Sequence, residues 1–136
     1  MTRLLGLMAA QPYLMEGKLF NPNEALSLGL VDGLASSPEQ LMGLALAFIH
    51  DNPQVQQPWD RKGYKLPGGS VNSPALANGL AVAPAMLFKK AHGLYPAPQA
   101  VLEAMVEGAQ VDYDTATRVE SRKLVKLMVS QTTKNM

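Results

Sequence analysis

The chain has 136 residues, of which 47% are apolar and 17% charged, with a net charge of +1 and no cysteine. That length supports one domain with an ordinary core. The composition excludes a salt-laced coiled coil, a polar disordered tail, a disulfide framework and thiolate metal sites. Ten prolines and eleven glycines divide the chain into short pieces and argue against a long bundle.

Residues 3–15 read as helix, with Leu4, Leu7 and Met8 at helical spacing and Pro12 permitting a break. The same opening could be misread as a secretory leader. It has one early base, its apolar run ends at Gln11-Pro12, and the next segment continues an amphipathic pattern instead of a cleavage region. No run approaches the roughly 18 apolar residues of a membrane helix, so the expectation is a cytoplasmic protein without a membrane span. Gly17 is placed to end the turn after Leu14 and Met15, and Lys18-Leu19-Phe20 is too short for an independent strand.

The clearest local signal begins at Asn21. This residue is a good N-cap, Pro22 suits the first helical position, and Glu24 stands at the third, where its carboxylate can return to the Asn21 amide. Ala25, Leu28 and Leu30 give this helix its buried face, and Gly29 supplies the turn that ends it. Ser37, Pro38 and Gln40 repeat the formula of serine cap, proline and N3 glutamine. The helix they open is expected to bury Leu41, Leu44, Ala45, Phe48 and Ile49, and to end near His50-Asp51-Asn52-Pro53.

Residues 51–73 carry turn signals and little periodicity, with Trp59 as a local anchor. The Gly68-Gly69 pair lacks the strand, helix and lysine–serine pair of a P-loop. Helix returns at Ser73-Pro74, weakened by Gly79, and Pro84 is expected to restart a short helix through Ala91 with Met86, Leu87 and Phe88 inward. His92-Gly93 ends it. A further helix after Tyr95-Pro96 buries Val101, Leu102, Met105 and Val106 and closes at Gly108. Asp112-Tyr113-Asp114 opens a charged amphipathic helix with Ala116, Val119, Leu124, Leu127 and Met128 toward apolar neighbours, and Ser130 or Thr132 caps the last few residues. The expected fold class is all-α, in mainly short helices, with no βαβ unit.

Charge is polarised along the chain. Residues 1–60 hold two bases against six acids, and residues 61–136 ten bases against five acids. Such asymmetry can mark a surface for an anionic partner. Nucleic acid would call for a denser basic face with aromatics between the bases, and only Trp59 and Tyr64 are available, so a solvated face is the simpler reading.

No residue stands out as a catalyst. Glu16 and Glu24 read as helix-end acids. His50 and Asp51 are adjacent, and adjacent helical residues point apart. His92 reads as a helix terminator, and the two histidines are too far apart in sequence, with no acids at ligand spacing, to suggest a metal. Asp112 and Asp114 read as helix N-terminal acids.

The residues Met15-Glu16-Gly17-Lys18, Asn23 through Ala25, and Leu28-Gly29-Leu30-Val31-Asp32, preceded by Arg3-Leu4 and Gly6-Leu7, resemble the late part of an enoyl-CoA hydratase (crotonase) domain. Leu87-Phe88-Lys89-Lys90, Gly93 through Pro98, Val106-Glu107-Gly108, Ser121-Arg122 and Ser130 onward resemble the helical connector of the multifunctional fatty-acid oxidation alpha subunits. The resemblance implies residues 1–52 as the helical end of a crotonase-like domain, 53–83 as a linker with a weak helix, and 84–136 as the interdomain connector. It further implies a parent enzyme that hydrates trans-2-enoyl-CoA and oxidises 3-hydroxyacyl-CoA with NAD. Implied partners are the acyl-CoA substrate, the rest of the multifunctional polypeptide and a thiolase subunit, with self-association of this piece through uncovered apolar faces.

Hydration in that family uses two glutamates and two backbone amides that stabilise the thioester enolate. The resemblance places the glutamates before residue 1 and the glycine-rich dinucleotide fingerprint after residue 136, so no catalytic residue, metal ligand or cofactor is assigned to this chain. It makes Lys18, Phe88, Lys89 and Lys90 candidate contacts to CoA. Asn21, Glu24, Ser37 and Gln40 are structural caps. Two other readings stay open: an independent helical interaction module for an acidic partner, and a fragment of a single-function hydratase or isomerase.

Overall fold

A computed structural model of the protein describes residues 1–135, without the side chains of Ala75, Lys90 and Ala91. The fold is all-α. Among the described residues the elements are α1 (Thr2–Leu5), α2 (Leu7–Met15), α3 (Pro22–Ser27), α4 (Pro38–Asp51), a 3₁₀ turn (Pro58–Asp60), α5 (Pro74–Ala91), α6 (Pro96–Gly108), α7 (Tyr113–Met128) and α8 (Gln131–Asn135), with no strand. None of these helices is long and apolar enough to cross a membrane. The chain forms two compact units, one combining Met1–Lys18 with Lys65–Met136 and the other spanning Leu19–Tyr64.

In the discontinuous unit, the first break in the opening helix falls at Gly6 and not at Pro12. Gly6 adopts φ 86° and ψ 167° between α1 and α2, while Pro12 lies inside α2. The cause is steric. A Cβ at residue 6 would collide with the Pro67 carbonyl oxygen, so only glycine lets the returning chain come this close in a backbone region closed to other residues. Pro12 leaves the Met8 carbonyl without its usual donor, and α2 continues for one more turn.

Leu7 and Ala10, one turn apart on α2, are buried with Val71, Leu76 and Met105, and Leu66, Leu80, Val101 and Val106 pack around them. Leu7 is 1% exposed; burying a leucine side chain fully is worth about 1.5–3 kcal/mol. The core therefore joins both ends of the sequence, with α2 against α6. Pro84 does not restart a helix. It sits inside a continuous α5 from Pro74 to Ala91 and is exposed, so the Leu80 carbonyl that it leaves unbonded can meet water instead. Gly79 in α5 faces the Met8 methyl group.

α6 and α7 form an antiparallel hairpin. Gly108 lies against Ala116, where an added Cβ would meet the alanine methyl at 3.3 Å, and farther along Lys123 reaches Glu103. The α7 face toward α6 carries the half-buried Ala116, Val119, Lys123 and Leu127. Leu124 and Met128, expected on that face, are exposed instead: at 100° per residue they point away from the 116–119–123–127 row.

The Leu19–Tyr64 unit is organised by local signals. α3 ends in a Schellman motif: Gly29 takes φ 68°, its amide bonds the Leu26 carbonyl at 3.0 Å, and the Leu30 amide bonds that of Ala25 at 2.9 Å. Ala25 is buried. The expected burial along α4 is absent, since every residue from Pro38 to Asp51 is exposed, Leu41 and Ile49 by 60% and 66%. Apolar residues run round this helix, so periodicity alone selects no buried side, and nothing in its own unit covers it.

Candidate functional site

The helix caps are the best-defined polar geometry. Asn21 Oδ1 accepts from the Glu24 amide at 2.9 Å. Ser37 Oγ accepts from the Gln40 amide at 3.2 Å, while Gln40 Oε1 accepts from both the amide and the hydroxyl of Ser36 at 2.6 Å. The return arm thus reaches one residue before the cap. Asp112 caps α7, its two carboxylate oxygens accepting from the Thr115 amide and hydroxyl at 2.9 and 2.7 Å. Those bonds, the hydroxyl's first, lower the Asp112 pKa. Ser130 Oγ accepts from the Thr133 amide at the start of α8.

Of the candidate CoA contacts, Lys18 is occupied by its own helix end. Its Nζ lies 3.4 Å from the Tyr13 hydroxyl and 5.1 Å from the centre of the Tyr13 ring. Phe88 is 64% exposed and turned onto the α5 terminus, where a Cβ on Gly93 would come within 3.1 Å of its ring. Phe88 and Met86 therefore do not point inward; Leu87 alone of the three is half-buried. Lys89 is exposed, and the Lys90 side chain lies outside the described ones. His92 ends α5 in the left-handed region at φ 50°, with its amide bonded to the Phe88 carbonyl at 2.7 Å.

His50 and Asp51 do not point apart. Nδ1 of His50 lies 3.0 Å from Asp51 Oδ1, with the side chains 88% and 71% exposed. In the last turn of α4 both side chains are exposed and free to turn toward each other. Beyond them, Asp51, Asn52, Pro53, Gln54, Val55 and Arg61 line a shallow open depression whose Arg61 is turned onto the Gln56 carbonyl at 3.2 Å.

Two long-range polar contacts escaped sequence reasoning. The Arg3 guanidinium donates to the Gly108 and Val111 carbonyls at 3.0 and 2.6 Å and lies 5.9 Å from the centre of the Tyr113 ring. The Gly108 carbonyl stands at the negative end of α6, which helical bonding leaves open, and that of Val111 lies in the turn between α6 and α7. Lys123 Nζ donates to Glu103 Oε2 at 2.6 Å and Glu107 Oε1 at 2.9 Å. The Lys123 bond is the first cause of a lowered Glu103 pKa, and bonds to Glu103 and then Glu107 raise that of Lys123. One signal was present in the sequence: Lys123 interrupts the apolar row Ala116, Val119, Leu127, and Glu103 and Glu107 are one turn apart on α6.

Among the described residues no polar or charged residue is buried, and no group of three His, Cys, Asp or Glu is placed to hold a metal ion. The polar groups that do converge hold helices together. No protein-family model matches the chain.

Proposed function

We propose that this chain is the helical tail and interdomain connector of a bifunctional, cytoplasmic fatty-acid β-oxidation enzyme, and that it has no turnover of its own. The parent hydrates trans-2-enoyl-CoA and oxidises the 3-hydroxyacyl-CoA with NAD, in partnership with a thiolase subunit. The proposal rests on the residue-by-residue resemblance at Met15–Lys18, Leu28–Asp32, Leu87–Lys90 and Gly93–Pro98. The observation that best supports it is α4: an apolar helix exposed along its whole length is a surface made to be covered by further protein. The described groups also suit scaffold more than chemistry, since the ionic contacts at Lys123 and at His50 are a helix clamp and a solvated helix end.

The test has two parts. The purified chain is titrated with crotonyl-CoA while hydration is followed by loss of enoyl-thioester absorbance, and NADH formation is followed with 3-hydroxybutyryl-CoA and NAD. Neither reaction is expected above the blank, and either one would overturn the inactive assignment. The genomic DNA flanking the coding segment is then sequenced. A downstream strand followed by a GxGxxG turn is expected; a frame without it would leave a single-function hydratase or isomerase.

A second reading draws on α7, where the exposed bases Arg118, Arg122 and Lys126 border the exposed apolar residues Leu124, Val125 and Met128. It makes the chain an interaction module for an acidic partner. A partner complex weakened by salt, without acyl-CoA binding, would favour it.

A further inference from the structure

The α7 surface has a distinct order around its circumference. Ala116, Val119, Lys123 and Leu127 face α6 and are half-buried. Leu124, Val125 and Met128, with Val129 at the C-cap, are 55–63% exposed, and their spacing groups them in one strip about 140° wide. Arg118, Arg122 and Lys126, four residues apart, border one edge of that strip, and all three are exposed. Glu120 stands on the other edge. An apolar strip with one cationic edge and one anionic edge is complementary to a helix, which can place apolar residues on the strip and opposite charges along each side.

We propose that α7 is a docking surface for an amphipathic helix of another protein, with its acidic flank lying along Arg118, Arg122 and Lys126. The four apolar residues supply the desolvated contact and the basic ridge sets direction and register. Rows of four, Ser121–Val125–Val129 beside Leu124–Met128, provide the ridge-and-groove surface against which a second helix packs.

An anionic membrane fits less well. The strip has no tryptophan or phenylalanine to seat at a lipid interface, and Asp114, Glu103, Glu107 and Glu120 on the hairpin would oppose a negatively charged plane. A single helix laid along Arg118 to Lys126 stops one turn short of Asp114, and Glu103 and Glu107 are already bonded to Lys123. Nucleic acid is disfavoured because no aromatic residue stands between the three bases.

The test uses the full chain and a fluorescein-labelled helical peptide of about sixteen residues, with a leucine seam, glutamates along one flank and glutamines along the other. A control peptide has lysine for every glutamate. The glutamate peptide is expected to bind in the micromolar range and to weaken with salt, with the control bound at least about tenfold more weakly. Arg118→Glu/Arg122→Glu and, separately, Leu124→Ser/Met128→Ser should each lower the affinity about tenfold or more, with the far-ultraviolet circular dichroism unchanged because all four side chains are exposed.

Equal binding of the two peptides would overturn the proposal, since it would mean indiscriminate apolar adhesion. Unchanged affinity in the Arg118→Glu/Arg122→Glu variant would do the same. So would a dimer of the free chain, seen by sedimentation, that Leu124→Ser/Met128→Ser dissolves, because the strip would then be a self-interface. Tighter binding to phosphatidylserine vesicles than to the glutamate peptide would overturn it by assigning the surface to a membrane.

Discussion

The guanidinium of Arg3 donates to the carbonyl of Val111 at 2.6 Å, across 108 positions of sequence. It reaches Gly108 as well, so one side chain near the start of the chain ties down the α6–α7 corner. Replacing Arg3 by methionine keeps much of the apolar stem and removes both charge-assisted bonds. The expected loss is about 1–3 kcal/mol, read from urea unfolding followed by circular dichroism. A change under a few tenths would mean that water replaces the guanidinium without penalty.

Two glycines should respond in opposite directions to alanine. Gly6→Ala places a methyl against the Pro67 carbonyl in a left-handed backbone region and should destabilise by about 2–3 kcal/mol. Gly43→Ala lies within α4 with no atom near the new methyl and should stabilise that helix by about 0.5–1 kcal/mol. Thermal melts of both variants against the parent provide the comparison, and a destabilised Gly43→Ala would point to a neighbour pressed against α4.

Apolar residues should divide sharply by position. Leu7→Ala empties a site that is 1% exposed and should cost about 2–5 kcal/mol. Leu41→Ala, on α4 at 60% exposure, should fall within about 0.5 kcal/mol of the parent. Equal costs, measured by denaturant titration, would show that the α4 surface is covered in solution.

The ion cluster predicts a stability plateau. Glu103 is held below its ordinary 4.5, so its contribution is present above that value and is lost as pH falls through the lowered folded pKa. Lys123 is raised above 10.5, so its contribution is complete below that value and is lost as pH rises through the raised one. Glu39 and Asp112 are also lowered, the first mainly by backbone hydrogen bonding at the start of α4 and the second by Thr115, which adds to the acid edge alone. Lys123→Met should flatten the alkaline edge and leave part of the acid edge in place. Denaturation midpoints across pH check this; an alkaline edge unchanged in Lys123→Met would remove the cluster as its cause.

The features legible in the sequence were those decided within a few residues. Asn21, Ser37 and Asp112 announce helix starts because a short polar side chain meets an amide three positions on, and Gly29 announces an end because the left-handed turn needs no Cβ. Burial is a different matter. Leu41 and Phe48 on α4 have the same chemistry as Leu102 and Met105 on α6, yet only the latter meet a partner. Periodicity states which residues could be covered, and the cover itself is set by distant chain. The role of Lys123 was hidden for that reason, since its acids stand on another helix. Pro12 is the more visible breaker because proline disrupts helices by its own geometry, whereas the constraint on Gly6 comes from Pro67. For the candidate site, Lys18 and Phe88 were identifiable as types, but their engagement with Tyr13 and Gly93 was not.

The interleaving of Met1–Lys18 with Lys65 onward has a consequence for synthesis. α2 leaves the ribosome well before its partners and cannot find Leu76 or Met105 until roughly sixty-five to ninety-five further residues have been made, a wait of about 3–20 s at ordinary elongation rates. During that interval Leu7 and Ala10 are open to water and to other nascent chains. High sequence separation between contacting residues also slows folding after release. A chain stalled in that interval would display this helix bare, which makes Leu7–Met15 the natural place for a chaperone to hold.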